Sequence, residues 1–290
     1  MARRKQKGRL LGVHCSIAGG VQNAPLVGGR IGCTAIQLFT GSNQQWRAPR
    51  ITKRAAESFL QNMSEQGIRS AVAHACYLIN LASPDRTIYA KSKNAMAEEL
   101  GRAELLRIPW VIVHPGSHRE RGMEWGIERI AEALNRVLDK TGRLAAGVAL
   151  ETTAGQGSSI GSRFEELAGI MERVEDRSRV AVCFDTCHAF AAGYELRTKA
   201  GYAKTWRDFD RSVGIRNLVA IHLNDSKTEL GSRRDRHEHI GEGMIGLAGF
   251  RLMMNDRRLK KVPMILETPK EEDADSHDSR NLGELIRLIR

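Results

Sequence analysis

The sequence is short of several things, and each shortage excludes a class of protein. Cysteine occurs only at Cys15, Cys33, Cys76, Cys183 and Cys187. The count is odd, the positions are scattered and no Cys-x-x-Cys pair occurs, which excludes a disulfide framework and points to a reducing, cytoplasmic setting. No apolar run approaches the roughly 20 residues that a membrane span needs. The opening segment, Met1 to Arg9, is basic but has neither a long apolar stretch nor a small-residue cleavage site, so it does not read as a secretory signal. No Gly-x-Gly-x-x-Gly follows the first apolar run, which weakens a dinucleotide-binding reading. No repeat, low-complexity linker or composition break divides the chain. Residues 1–290 are therefore expected to form one domain, with residues 1–8 a flexible basic tail.

What is present fits a large globular enzyme. The chain has 290 residues, 41% hydrophobic and 27% charged, enough to bury a sizeable core without disulfides. The formal net charge of +11 suits a polyanionic partner, because clustered Lys and Arg bind phosphates and release counterions. Eight short apolar runs recur: 10–13, 33–39, 70–73, 110–113, 147–150, 180–184, 218–221 and 262–266. They lack polar alternation, as strands of a parallel sheet buried on both faces do. Helical patterns lie between them, at 90–106, 126–140, 164–174 and 205–213. Eight alternations predict an α/β fold, a closed (β/α)₈ TIM barrel, with an open doubly wound sheet as the competitor. The polar stretch 230–243 reads as a long loop and the acidic stretch 269–279 as exposed.

The residues that follow the apolar runs carry the chemistry. They are His14, His74, His114, Glu151, Asp185, His222 and Glu267, so seven of the eight runs finish on an imidazole or a carboxylate. The C-terminal ends of barrel strands form the active-site mouth, where these groups would meet. Crowded there, they would repel or desolvate one another unless a cation lay among them. Asp185-Thr-Cys-His188 adds a donor one turn further on, and Asp235-Arg-His237 adds two at i and i+2, which point the same way in an extended segment. The candidate ligands are then nine: His74, His114, Glu151, Asp185, His188, His222, Asp235, His237 and Glu267. One ion takes three or four, so nine fit two or three metals, and the imidazole-rich nitrogen and oxygen set favours zinc over manganese or iron. Cys187, between two of these donors, reads as a packing residue.

The stretches His14-Cys-Ser-Ile-Ala-Gly-Gly20, His74-Ala-Cys-Tyr-Leu-Ile-Asn80, His114-Pro-Gly-Ser-His118, Glu151-Thr-Thr-Ala-Gly-Gln-Gly157, Asp185-Thr-Cys-His188, His222-Leu-Asn-Asp-Ser-Lys227, Asp235-Arg-His237 and Leu266-Glu-Thr268 resemble the endonuclease IV family of apurinic/apyrimidinic endonucleases. The resemblance implies a (β/α)₈ barrel with its metal site at the strand ends and three zinc ions per chain, manganese being the alternative at one site. His74 and His114 would hold the first ion, with Glu151 bridging it to a second. Asp185, His222 and Glu267 would complete the second, and His188, Asp235 and His237 would hold the third.

The implied substrate is double-stranded DNA carrying abasic sites or blocked 3′ ends. The implied reaction is hydrolysis 5′ to the abasic site, leaving a 3′-hydroxyl and a 5′-deoxyribose phosphate, with trimming of 3′ ends. Glu151 would be the catalytic residue. Tyr77, Gln44, Trp46 and Arg236 are the candidate DNA contacts, with Lys227, Arg233 and Arg234 on the backbone. His14 and His118 would orient ligands, and Asn224 and Glu242 would support the metal shell. Gln44 stands where some relatives carry Arg, and Cys76 where the family often has Ser. A monomer is expected, in the cytoplasm and on the nucleoid through DNA, with no membrane partner. Two rival readings are a metal-dependent sugar isomerase or epimerase on the same barrel, which needs fewer metals and no basic charge, and a non-catalytic binder of damaged DNA.

Overall fold

The computed structural model describes residues 8–270 and 274–290, so the basic-tail expectation for the first residues falls almost wholly outside the described residues. Eight parallel strands close on one another in the order β1-β8-β7-β6-β5-β4-β3-β2. They are β1 Leu11–His14, β2 Ala35–Phe39, β3 Ser70–His74, β4 Trp110–Val113, β5 Gly147–Glu151, β6 Val180–Asp185, β7 Leu218–His222 and β8 Met264–Leu266. Around them lie α1 Ala24–Ile31, α2 Lys53–Glu65, α3 Arg86–Leu105, α4 Met123–Lys140, α5 Phe164–Glu172, α6 Lys199–Ser212, α7 Gly246–Met254 and α8 Ala274–Leu288. This is the expected TIM barrel.

The helices form on apolar stripes, and some also carry a side-chain start signal. In α4, Ile127, Ile130, Ala131, Leu134, Val137 and Leu138 are buried on one face, the spacing of a helix lying against a sheet. Three helices begin earlier than their apolar pattern predicts, and in α3 and α6 a capping side chain sets the start. Asp85 accepts the Ile88 N–H at 2.8 Å ahead of α3, and Thr198 accepts the Gly201 N–H at 3.1 Å ahead of α6. The stretch read as an exposed acidic loop at 269–279 runs instead into α8. There Asp278 is buried against the Lys270 ammonium, so the ion pair lets a charge-rich segment pack.

Between sheet and helices, Phe164, Phe184, Trp206 and Phe209 stack edge and face with centroids 4.9 to 6.2 Å apart. Inside the barrel a separate layer consists of Ala35, Val72, Ile112, Ala149, Cys183, Ala220 and Ile265. On β1 that level belongs to Gly12, paired with Ala35; a Cβ there would lie 1.6 Å from the Ala35 carbonyl oxygen, so only glycine lets β1 pass. All five cysteines are buried free thiols. Among the described residues no helix is long and apolar enough to cross a membrane.

Candidate metal centre

Side chains alternate across a strand, so the residue two positions after an inward-facing one also faces inward. Two residues beyond the interior layer stand His14, Gln37, His74, His114, Glu151, Asp185, His222 and Glu267, one from each strand or its end. All but His14, His114 and Glu267 are buried below a tenth of their surface.

Six of these side chains, with Cys187, His188, Asp235 and His237 from beyond the strands, form adjoining groups in which one donor atom per residue lies within 4.8 Å of the others. The groups are His74, His114 and Glu151; Glu151, Asp185, His222 and Glu267; Asp185, His188 and His237; and Cys187, Asp235 and His237. Glu151 is the hub. Its carboxylate lies 3.2 Å from His74 Nε2, 3.0 Å from His114 Nε2, 2.8 Å from His222 Nδ1 and 3.4 Å from His188 Nδ1. Asp235 lies 3.1 Å from His188 Nε2 and 3.3 Å from His237 Nε2.

The second ring nitrogens show which atom of each imidazole is left for a ligand. His74 Nδ1–H donates to the Ala75 carbonyl at 2.7 Å, His188 Nδ1–H to that of Thr152 at 2.8 Å and His237 Nδ1–H to that of Glu267 at 2.9 Å. Backbone carbonyls only accept, so each ring turns a bare Nε2 towards carboxylates. His237 Nε2 is buried with no hydrogen-bond partner among the described residues. Lone pairs facing carboxylate oxygens repel unless a cation lies between them, and imidazoles pinned through their other nitrogen are the usual support of metal ligands. The donor set therefore fits metal ions.

The electrostatics show that the carboxylates draw positive charge to these rings, as a second ring proton or as a metal ion. Burial depresses the imidazoles of His74, His188 and His222, yet the carboxylates beside His74 and His188, and Cys183 followed by Glu267 and Glu151 beside His222, outweigh it and raise all three, the last two well above the ordinary range. Burial alone would raise the carboxyls of Glu151, Glu267 and Asp235. The imidazoles beside them reverse this, holding Glu151 well below the usual range, lowering Glu267, and bringing Asp235 to about 2. At His14 burial wins over its Glu267 bond and the imidazole is lowered. The Cys187 thiol, pushed up to about 12 mainly by burial, gives its hydrogen to the Arg236 carbonyl at 3.5 Å.

Asp235 and His237 ride on a loop that a single buried carboxylate ties down. Asp225 Oδ1 accepts the N–H groups of Ser226 (2.8 Å) and Ile245 (2.9 Å). Its Oδ2 accepts those of Gly241 (2.9 Å), Gly243 (3.2 Å) and Gly246 (3.2 Å). The loop's two ends thus meet on one side chain. A Cβ at Gly243 would lie 2.6 Å from Asp225 Oδ1 and 2.5 Å from the Ser226 carbonyl oxygen, so that close approach needs glycine. The Asp235 N–H donates to Gln156 Oε1 at 2.9 Å, holding the ligand segment against the loop after β5.

The remaining predicted residues divide. His14 meets the cluster through Nδ1, 3.3 Å from Glu267 Oε1. Asn224 joins two candidate ligands, donating to Asp185 Oδ2 at 2.7 Å and accepting the Glu267 N–H at 2.8 Å. His118 does not join them. Its ring accepts the Gly122 N–H at 3.1 Å, closing the turn before α4, and no hydrogen bond or ion pair links it to the cluster among the described residues. Glu242 pairs instead with Arg280 at 3.1 Å, on the surface. His239 is buried and stacked on His277 of α8.

At the mouth, Tyr77 is 58% exposed, with its ring 5.6 Å from that of His74. Gln44 and Arg236 are exposed, whereas Trp46 is half-buried against the core under its loop, with the Lys91 ammonium 5.9 Å from the ring centroid. Gln37 was not among the predicted residues, because it sits inside an apolar run instead of ending it. Its signal was the pleat: a lone polar residue two positions after Ala35.

Fold and site together define a barrel enzyme scaffold whose strand ends carry a cluster of donors suited to several cations. The model of the xylose isomerase-like TIM barrel family matches residues 29–290. A probable endonuclease 4 from Geobacter sulfurreducens is 48% identical over 280 residues, which cover 97% of this chain and 94% of that protein. The crystal structure of endonuclease IV from Thermus thermophilus superposes with a TM-score of 0.85 at 36% identity, covering 96% of this chain and 99% of that one. A D-tagatose 3-epimerase-like protein shares the fold alone, with a TM-score of 0.72 at 17% identity. The chain belongs to the endonuclease IV family.

Proposed function

We propose that the chain is a zinc-dependent DNA-repair endonuclease that hydrolyses the phosphodiester 5′ to an abasic site, leaving a 3′-hydroxyl and a 5′-deoxyribose phosphate. The observation that carries this reading is the sharing of donors. Glu151 belongs to two adjoining groups, Asp185 to two and His237 to two, as a polynuclear centre requires and a single-ion isomerase site does not. His74, His114 and Glu151 would hold one ion. Glu151, Asp185, His222 and Glu267 would hold a second, and His188, Asp235 and His237 a third. When bound, such ions neutralise the phosphate, lower the pKa of water and stabilise the leaving alkoxide.

The chain's own residues do the rest. Glu151, fully buried, keeps the donors of two groups within reach of one phosphate. Tyr77 projects from the rim and fills the place of a displaced nucleotide, and flipping an abasic residue costs less than flipping one with a base. A cavity of about 260 Å³ opens beside His114, His188 and Asp235, with Tyr77, Asn80 and Gln156 in its wall. It has room for a sugar phosphate. Exposed Arg236 and Gln44 meet the DNA backbone. The same arrangement serves a blocked 3′ end, whose phosphate presents the same charge to the same donors.

The test is a duplex oligonucleotide with one abasic site, incubated with purified protein whose metals have been quantified, with and without a strong chelator. Incision at the 5′ side that the chelator abolishes, with three zinc ions per chain, is expected. Intact DNA in both lanes would reject the reading, and sugar isomerisation with one or two ions would replace it.

A further inference from the structure

Gln37 is fully buried on β2 and touches three of the strand-end groups. Its Nε2 donates to Glu267 Oε1 and lies 2.9 Å from His14 Nδ1, and its Oε1 lies 2.8 Å from His222 Nε2. We propose that Gln37 is a positioning residue that fixes the ring tautomer of His222, keeping Nδ1 bare for a metal ion. The inference rests on the metal-centre reading above.

The argument follows the polarity of the groups. An ionised carboxylate can only accept, so Glu267 requires the NH₂ end of the amide. The oxygen end must then face His222. An amide oxygen also only accepts, so the hydrogen of the His222 ring sits on Nε2. Nδ1 is left with its lone pair, 2.8 Å from Glu151 Oε1, 3.1 Å from Glu267 Oε2 and 3.8 Å from Asp185 Oδ2. Three carboxylate oxygens around a bare nitrogen make a cation position. The other pinned rings, His74, His188 and His237, take their direction from backbone carbonyls, which mutation leaves in place. His222 depends on a side chain, which makes it the ring whose tautomer a substitution can release.

The experiment compares wild type with Gln37→Met, of similar volume but with neither donor nor acceptor, and Gln37→Glu, which keeps an acceptor for His222. Long-range ¹H–¹⁵N spectra of zinc-loaded protein with ¹⁵N-labelled histidine report the His222 tautomer, and chelator competition reports zinc affinity. Wild type and Gln37→Glu are expected to carry the hydrogen on Nε2. Gln37→Met is expected to lose that single form and to bind zinc about ten- to a hundredfold more weakly, as loss of a ligand's supporting partner does. An unchanged tautomer and affinity in Gln37→Met overturns the proposal while leaving the metal centre intact. If Gln37→Met does not fold, a Gln37→Glu protein with the hydrogen on Nδ1 overturns it equally. Wild type that binds no zinc sinks the functional reading first and this one with it.

Discussion

Replacing Asp225 with Asn should loosen the loop that carries Asp235 and His237 without disturbing the barrel. The carboxylate is fully buried and collects N–H groups from Ser226, Gly241, Gly243, Ile245 and Gly246. An amide keeps one acceptor oxygen. With that oxygen in the Oδ1 place, the new NH₂ faces three donors and strands Gly241 and Gly243, while Gly246 keeps its 3.3 Å reach to the Oδ1 position. Each stranded donor costs roughly 1–3 kcal/mol, and the easier burial of a neutral group offsets part of the sum. A net of about 3 kcal/mol opens the loop on the order of a hundredfold more often. Arg233, Arg234 and Arg236 are exposed within it, so trypsin reads the opening directly. Where closing outpaces cleavage, the nicking rate follows the open population and rises by about the same factor. On the proposed ligand set, metal content should fall by the one ion that His188, Asp235 and His237 would hold. A variant nicked at the wild-type rate with full metal content would refute the reasoning.

Other outcomes follow from the same geometry. Glu151→Gln should leave a folded barrel whose abasic-site incision falls by more than the roughly ten- to hundredfold that a supporting residue costs; near-normal turnover would remove Glu151 from the centre. Stripping the metals should lower the melting temperature by about 4–5 °C per ion held at a hundred times its Kd, from about 2.7 kcal/mol per site and an unfolding entropy near 0.6 kcal/mol/K for a chain of 290 residues; calorimetry with and without chelator checks this, and equal transitions count against resident ions. Tyr77→Ala should leave stability unchanged, since the ring is 58% exposed, but cost about 1–3 kcal/mol in kcat/KM on abasic duplex; an unaltered kcat/KM would remove it from the wedge role. Affinity for abasic duplex should drop with salt, and Arg236→Ala should reduce the slope of log K against log salt by about one; a slope equal to wild type would take Arg236 off the backbone.

Most of the strand-end set was legible because burial leaves a mark in sequence. A strand covered on both faces reads as an apolar run, and a run that stops on His, Asp or Glu marks where the sheet meets the mouth. Seven strands announced themselves this way, from His14 to Glu267. Gln37 did not, because its strand continues for two residues past the donor level, through Leu38 and Phe39. Counting from the pleat instead of from the end of the run would have found it. The pair Asp235 and His237 was visible as a local cluster, but its anchor was not. Asp225-Ser226 reads as an ordinary turn, and only the fold shows that N–H groups from residues 241–246 return to it. Helix starts were misplaced for a similar reason: Asp85 and Thr198 act through one backbone N–H each, which periodicity does not register.

Drawing one polar group from every strand also has a consequence for biogenesis. A half-made sheet holds only part of the donor set, and the hub, Glu151, lies mid-chain, while Glu267 becomes available only when β8 has been synthesised and has closed against β1. On the proposed ligand set, the ion shared by Glu151, Asp185, His222 and Glu267 would therefore load late. A chain truncated before β8 would forfeit the position that needs Glu267, so filling it would check the integrity of the chain.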